Sequence, residues 1–144
     1  RLQRLLHFGL EDPSRSQLAD VRCADLLAGI VTGLSVVAVG VQEVLFIAGQ
    51  TASDKDGNVV GKGDIKAQTR QVFDNIKAVL EAAGGSFDNL VMTTTYITDR
   101  KYREGYNEVR RGIYKADPPT STLVIISGLA NEDYLIEIAG IAVL

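Results

Sequence analysis

Apolar and polar positions repeat along the chain with two periods, and each period marks its own kind of element. Between Gly63 and Gly85 (GDIKAQTRQVFDNIKAVLEAAGG), Ile65, Gln68/Thr69, Val72, Ile76, Val79/Leu80 and Ala83 recur at three- and four-residue steps. Lys66, Arg70, Asp74 and Lys77 fall on the other side, so the segment predicts one amphipathic helix. Asp64 suits the N-cap, because its carboxylate can accept from the free N–H groups of the first turn. Gly84-Gly85 suits the stop, because glycine takes the left-handed conformation that closes a helix. A stripe this apolar has to be buried against something, and the β-rich stretches on either side are the available partners.

Those stretches follow the shorter period or none. Val36–Val41 and Val44–Ala48 are β-branched apolar runs, expected to form a hairpin joined at Gln42-Glu43. Thr51–Val60 encloses a polar loop, Asp54–Asn58, with Asp-Gly turn chemistry at Asp56-Gly57. After a short connector at Phe87–Asn89, Leu90–Ile97 (LVMTTTYI) predicts a strand. Asp99 caps a second expected helix, Lys101–Lys115, with Tyr102, Tyr106, Val109 and Ile113 inward, and Asp117-Pro118-Pro119 ends it. Ser121–Ser127 and Tyr134–Leu144 predict two more strands around a turn at Gly128–Asp133. The first part of the chain is less patterned. Arg1–Leu10 fits a short strand or a helical turn, Glu11–Ser14 a turn, and Ser16–Ala28 a helix through Leu18, Val21 and Leu26 or Leu27.

The expected order is therefore ββ–α–β–α–ββ: an α+β two-layer domain with two helices on one mixed sheet. Apolar residues such as Leu123 and Ile125, and alternate residues of the last strand, provide for both sheet faces, which favours an oligomer. With 144 residues and no repeat, low-complexity tract or linker, one domain over 1–144 is expected.

Composition narrows the function classes mainly by exclusion. Hydrophobic residues make up 46% and charged residues 23%, ordinary for a soluble globular chain. A net charge of −3 gives no general attraction to a polyanion, which ranks nucleic acid last among partners. Cys23 and His7 each stand alone, which excludes a disulfide framework and the usual zinc spacings and fits a reducing, cytoplasmic setting. The most apolar run, Leu26–Val41, falls short of the roughly 20 residues of a membrane helix, and three glycines interrupt it.

No phosphate-binding, dinucleotide-binding or nucleophile-elbow motif occurs. The one chemical clue is Glu137, between Ile136 and Ile138 in LIEIAGIA. In a poorly solvated place its pKa would rise and it would suit a general acid or base; alternation could equally point it to solvent. Asn107 on the second helix, and Ser121 and Thr122 after the rigid Pro118-Pro119, are weaker candidates for lining a ligand site.

Gly49-Gln50, the helix above, the strand VMTTTYITD, YNEV at 106–109, Pro119 and the closing IEIAGIAVL, taken together, resemble the Rid family (YjgF/YER057c/UK114). The resemblance spans about Val36–Leu144; residues 1–34 differ from the family's usual short N-terminal segment. It implies a chorismate-mutase-like fold, a homotrimer with clefts between subunits, and hydrolysis of reactive imines or enamines to oxo compounds and ammonia without cofactor or metal. By the same resemblance Glu137 matches the glutamate that positions water, while Asn107 and Gly49 match groups lining the cleft. Ser121 stands where the family has a substrate-binding arginine, Ala48 replaces a small hydroxyl residue, and Ser35 falls about where a tyrosine is expected. A serine cannot replace a charged two-pronged fork. The resemblance thus implies a small-molecule imine or enamine whose acid group is absent or held differently; 2-aminomuconate-type ring-cleavage products are one class used by divergent members. The alternative is a catalytically inactive trimer that binds metabolites or acts like a chaperone. Ribonuclease activity, reported for some relatives, ranks third.

Overall fold

The computed structural model of the chain describes residues 34–39, 42–114 and 117–144. The elements expected over Arg1–Leu10, Glu11–Ser14 and Ser16–Ala28, with His7 and Cys23, lie outside the described residues. Five strands and two α-helices follow the expected order: β1 Leu34–Val39, β2 Gln42–Thr51, α1 Ile65–Ala82, β3 Leu90–Ile97, α2 Arg103–Ile113, β4 Thr120–Ile125 and β5 Ile136–Val143. The strands form one sheet in the order β1-β2-β5-β3-β4, antiparallel except for the β3·β4 pair. This is the α+β two-layer mixed-sheet fold that the pattern predicts.

Both ends of α1 follow local chemistry. Asp64 accepts from the N–H groups of Lys66 (2.9 Å) and Ala67 (3.2 Å). At the other end Gly84, with φ +83°, lets the N–H of Gly85 reach back to the carbonyl of Leu80 (2.8 Å) and its own N–H to that of Glu81 (3.0 Å). That pair of bonds is a Schellman closure. Between the caps, Val72, Phe73, Ile76, Val79 and Leu80 are buried on one face of the sheet, against Leu45, Ile47, Ile136 and Ile138. Each such side chain contributes about 1.5–3 kcal/mol on leaving water.

The remaining elements shift at their ends for identifiable reasons. Gln42-Glu43, expected in the hairpin connection, belongs to β2, since Val39 already pairs with Gln42. The second helix, expected over Lys101–Lys115, is α-helical only over Arg103–Ile113. Asp99 accepts from the N–H of Lys101 at 2.9 Å, two residues on, and this tight turn opens a 3-10 segment at Arg100–Tyr102. At its other end Tyr114 turns extended and packs edge-to-face on Phe73 and Phe87. The last strand, expected from Tyr134, starts at Ile136 because the N–H of Leu135 is bound by a side chain, Oε1 of Gln68, at 2.8 Å.

Two buried amides of α1 tie the sheet to the helical layer. Nε2 of Gln68 donates to the carbonyls of Asp133 (2.7 Å) and Gly61 (3.3 Å). Nδ2 of Asn75 donates to the carbonyls of Thr51 and Ser53, both at 3.0 Å. The first clamp holds the entry to β5 and the second the exit of β2. The Ser53 and Tyr134 hydroxyls hydrogen-bond to each other across the same gap.

Candidate functional site on the bare sheet face

Alternation divides β5 cleanly. Ile136, Ile138 and Ala142 are buried under the helices, while Glu137, Ala139, Ile141 and Val143 are half-buried on the other face. Among the described residues, no helix covers that face. Cross-strand register extends each of these positions into a row. Thr51, Glu137, Tyr96 and Val124 make one row; Ala139, Thr94 and Thr122 make the next. Phe46, Ile141, Met92 and Thr120 make a third. Phe46, Ile141 and Met92 of the third row are apolar, and with Ala48 and Ala139 they line an open hollow of about 410 Å³. The first row carries Glu137 between two hydroxyl side chains, Thr51 and Tyr96.

A bulge in β2 gives this row its shape. Ile47 pairs with Gly140, but Gln50 pairs with Ile138, so Ala48 and Gly49 together oppose Ala139. The extra residue brings the Gly49 backbone up against Glu137: a Cβ built on Gly49 would stand 2.6 Å from Cδ and 2.9 Å from Cγ of the glutamate. Only a residue without a side chain leaves the carboxylate this berth.

The charge on the sheet is one-sided. None of the five strands contains Lys, Arg or His. Glu43 alternates to the helical side with Leu45 and Ile47, so Glu137 is the one carboxylate that the strands present on the bare face. Among the described residues, no group of three or more His, Cys, Asp or Glu side chains is placed to hold a metal ion.

The residues singled out from sequence separate into two sets. Glu137, Gly49 and Ala48 come together at the bulge, and Thr122 lies on the same face, two strands away. Ser121 pairs with Thr93, so it stands exposed at the sheet edge on the helical side. Asn107 is half-buried on α2, in the layer where Tyr106 meets Thr95. One chain therefore does not bring Ser121 or Asn107 to Glu137. Thr51 and Tyr96, the direct neighbours of Glu137, were not singled out. Each reads as an ordinary strand residue until the register joins it to β5.

A two-layer α+β chain with a lone carboxylate on a bare sheet face is the class of protein this geometry defines. The family model described as Endoribonuclease L-PSP matches residues 30–144. A RutC family protein of Sulfurisphaera tokodaii is 40% identical over 102 residues, covering 71% of this chain and 81% of its own. Another, from Pyrococcus horikoshii, is 45% identical over 98 residues, covering 68% and 77%. Among solved structures, RidA from the Antarctic bacterium Psychrobacter sp. PAMC 21119 superposes with a TM-score of 0.69 at 31% identity, covering 81% of this chain and 92% of that one. The chain belongs to this family, also known as Rid.

Proposed function

We propose that the protein hydrolyses a reactive imine or enamine to the corresponding oxo compound and ammonia. Glu137 is the observation that carries the reading: a half-buried carboxylate berthed against Gly49 and flanked by Thr51 and Tyr96. In this mechanism Glu137 accepts a proton from water as the water oxygen bonds to the imine carbon. That proton passes to nitrogen to give the carbinolamine; the hydroxyl proton then moves to nitrogen as the C=O bond forms and the C–N bond breaks, and ammonia leaves. Gly49 sets the carboxylate's position, and the Thr51 and Tyr96 hydroxyls hydrogen-bond the carbinolamine. No cofactor takes part.

The site is completed in a homotrimer, with clefts between subunits. The bare face and the exposed Phe46 and Met92, at 42% and 40%, support association of copies. The placement of Ser121 and Asn107 supports it too, since only a second chain could bring them to Glu137. Light scattering that returned a monomer mass would remove this part of the reading. For the chemistry, Glu137→Gln keeps the shape and removes the base, so ammonia release should fall roughly 100-fold. Unchanged release would reject the mechanism.

The second reading is a binding-only or chaperone-like member. It is favoured by the absence of any strand cation on the face, which leaves a substrate carboxylate without a partner. An imine panel with no ammonia release above the spontaneous rate would support it. Ribonuclease activity, which the family description mentions, ranks below both, since the strands offer no basic track.

A further inference from the structure

The charge pattern around Glu137 bears on what the site accepts. Among the described residues, the strands present on the bare face one carboxylate, hydroxyls from Thr51, Tyr96, Thr94 and Thr122, and no Lys, Arg or His. An anion beside Glu137 would meet a like charge, with no Lys, Arg or His of the described strands to offset it. A cation there would meet an opposite charge and, on one side, the ring of Tyr96. We infer that the site selects a carboxylate-free, cationic substrate, an iminium derived from a simple amine, over the 2-imino acid derived from an amino acid.

This inference rests on the hydrolytic reading for its chemistry, but the charge preference holds for a binding site as well. As water adds to the iminium carbon, the positive charge on nitrogen is lost and Glu137 takes up the water's proton. The pair of opposite charges is thereby neutralised along the reaction. A substrate carboxylate would keep its negative charge beside Glu137 throughout.

The test uses the full chain and two imines that differ only in a carboxylate. A flavin amine oxidase generates the imine of phenethylamine, and an amino-acid oxidase generates the 2-imino acid of phenylalanine. The expected result is at least a 10-fold greater acceleration of ammonia release from the phenethylamine imine. Equal or greater acceleration of the phenylalanine imine overturns the inference. If neither imine is accelerated, the hydrolytic reading fails, and binding decides the charge preference separately. Phenethylammonium should then bind at least 10-fold tighter than 3-phenylpropanoate by NMR titration, and Glu137→Gln should abolish the difference. Preference for the anion, binding of neither probe, or a preference that survives Glu137→Gln overturns it.

Discussion

Gly49 and Glu137, distant in sequence, lie in van der Waals contact on the bare face: the glutamate side chain occupies the space that a side chain at position 49 would fill. The β2 bulge makes the contact possible, because it places two residues opposite Ala139 and turns the backbone toward β5.

Gly49→Ala is therefore expected to act on Glu137 more than on the fold. The new methyl group would stand 2.6 Å from the glutamate Cδ, and a flexible side chain yields more readily than backbone. Ammonia release should drop at least 10-fold, while the urea midpoint changes by less than about 1 kcal/mol equivalent. Wild-type turnover in a folded Gly49→Ala variant would mean that the carboxylate position does not matter.

Gln68→Ala should cost stability instead. The Gln68 amide is fully buried and makes bonds to Asp133, Gly61 and Leu135. Truncation leaves buried backbone groups unpaired and opens a cavity, a loss of roughly 2–4 kcal/mol by chemical denaturation. The damage should be greatest at the entry to β5, seen as faster amide exchange at Leu135. A loss under about 1 kcal/mol would show that the clamp is dispensable.

Tyr114 governs alkaline behaviour. Burial, reinforced by Tyr106 and opposed by Arg110, pushes its phenol up from 10.0 to about 12. The folded chain thus holds this proton more tightly than the unfolded chain. The resulting stability is complete below pH 10 and is lost as pH rises through about 12. Tyr114→Phe should flatten this part of the stability curve between pH 10 and about pH 12. At neutral pH it should be neutral or stabilising by up to about 1 kcal/mol, since the buried hydroxyl has no hydrogen-bond partner among the described residues. A loss above about 1.5 kcal/mol would reveal such a partner.

Ser121→Arg tests how copies meet. If Ser121 of one chain approaches Glu137 of another, the new cation should raise hydrolysis of the phenylalanine imine at least 10-fold and narrow the preference for the phenethylamine imine. A folded, associated variant with unchanged selectivity would place Ser121 away from the site.

The helix-forming stripe from Ile65 to Ala83, the Asp64 cap and the Gly84 stop are local signals, and α1 follows them closely. The β-branched runs likewise mark out the strands, and the separated family blocks were legible because each is a short contiguous string. What the sequence could not define were ends decided by distant partners: β5 starts late because Gln68 captures the N–H of Leu135, and α2 stops early where Tyr114 turns to pack on Phe73 and Phe87.

Glu137 drew attention from sequence alone, as a carboxylate between isoleucines. Which face it occupies, and with what company, depended on register. Period-2 alternation sorts a strand's residues into two sets but leaves open which set the helices cover. That choice was made by α1, whose apolar stripe buries Ile136 and Ile138 and so leaves Glu137 on the bare side. Thr51 and Tyr96 became its neighbours through hydrogen-bond pairing between strands far apart in the chain, and Gly49 through a one-residue bulge that no local pattern announces. Local sequence determined the elements, because caps, turns and periodicity act over a few residues. The tertiary structure alone decided the candidate site, because its geometry is set by pairing and packing between segments that meet only in the folded chain.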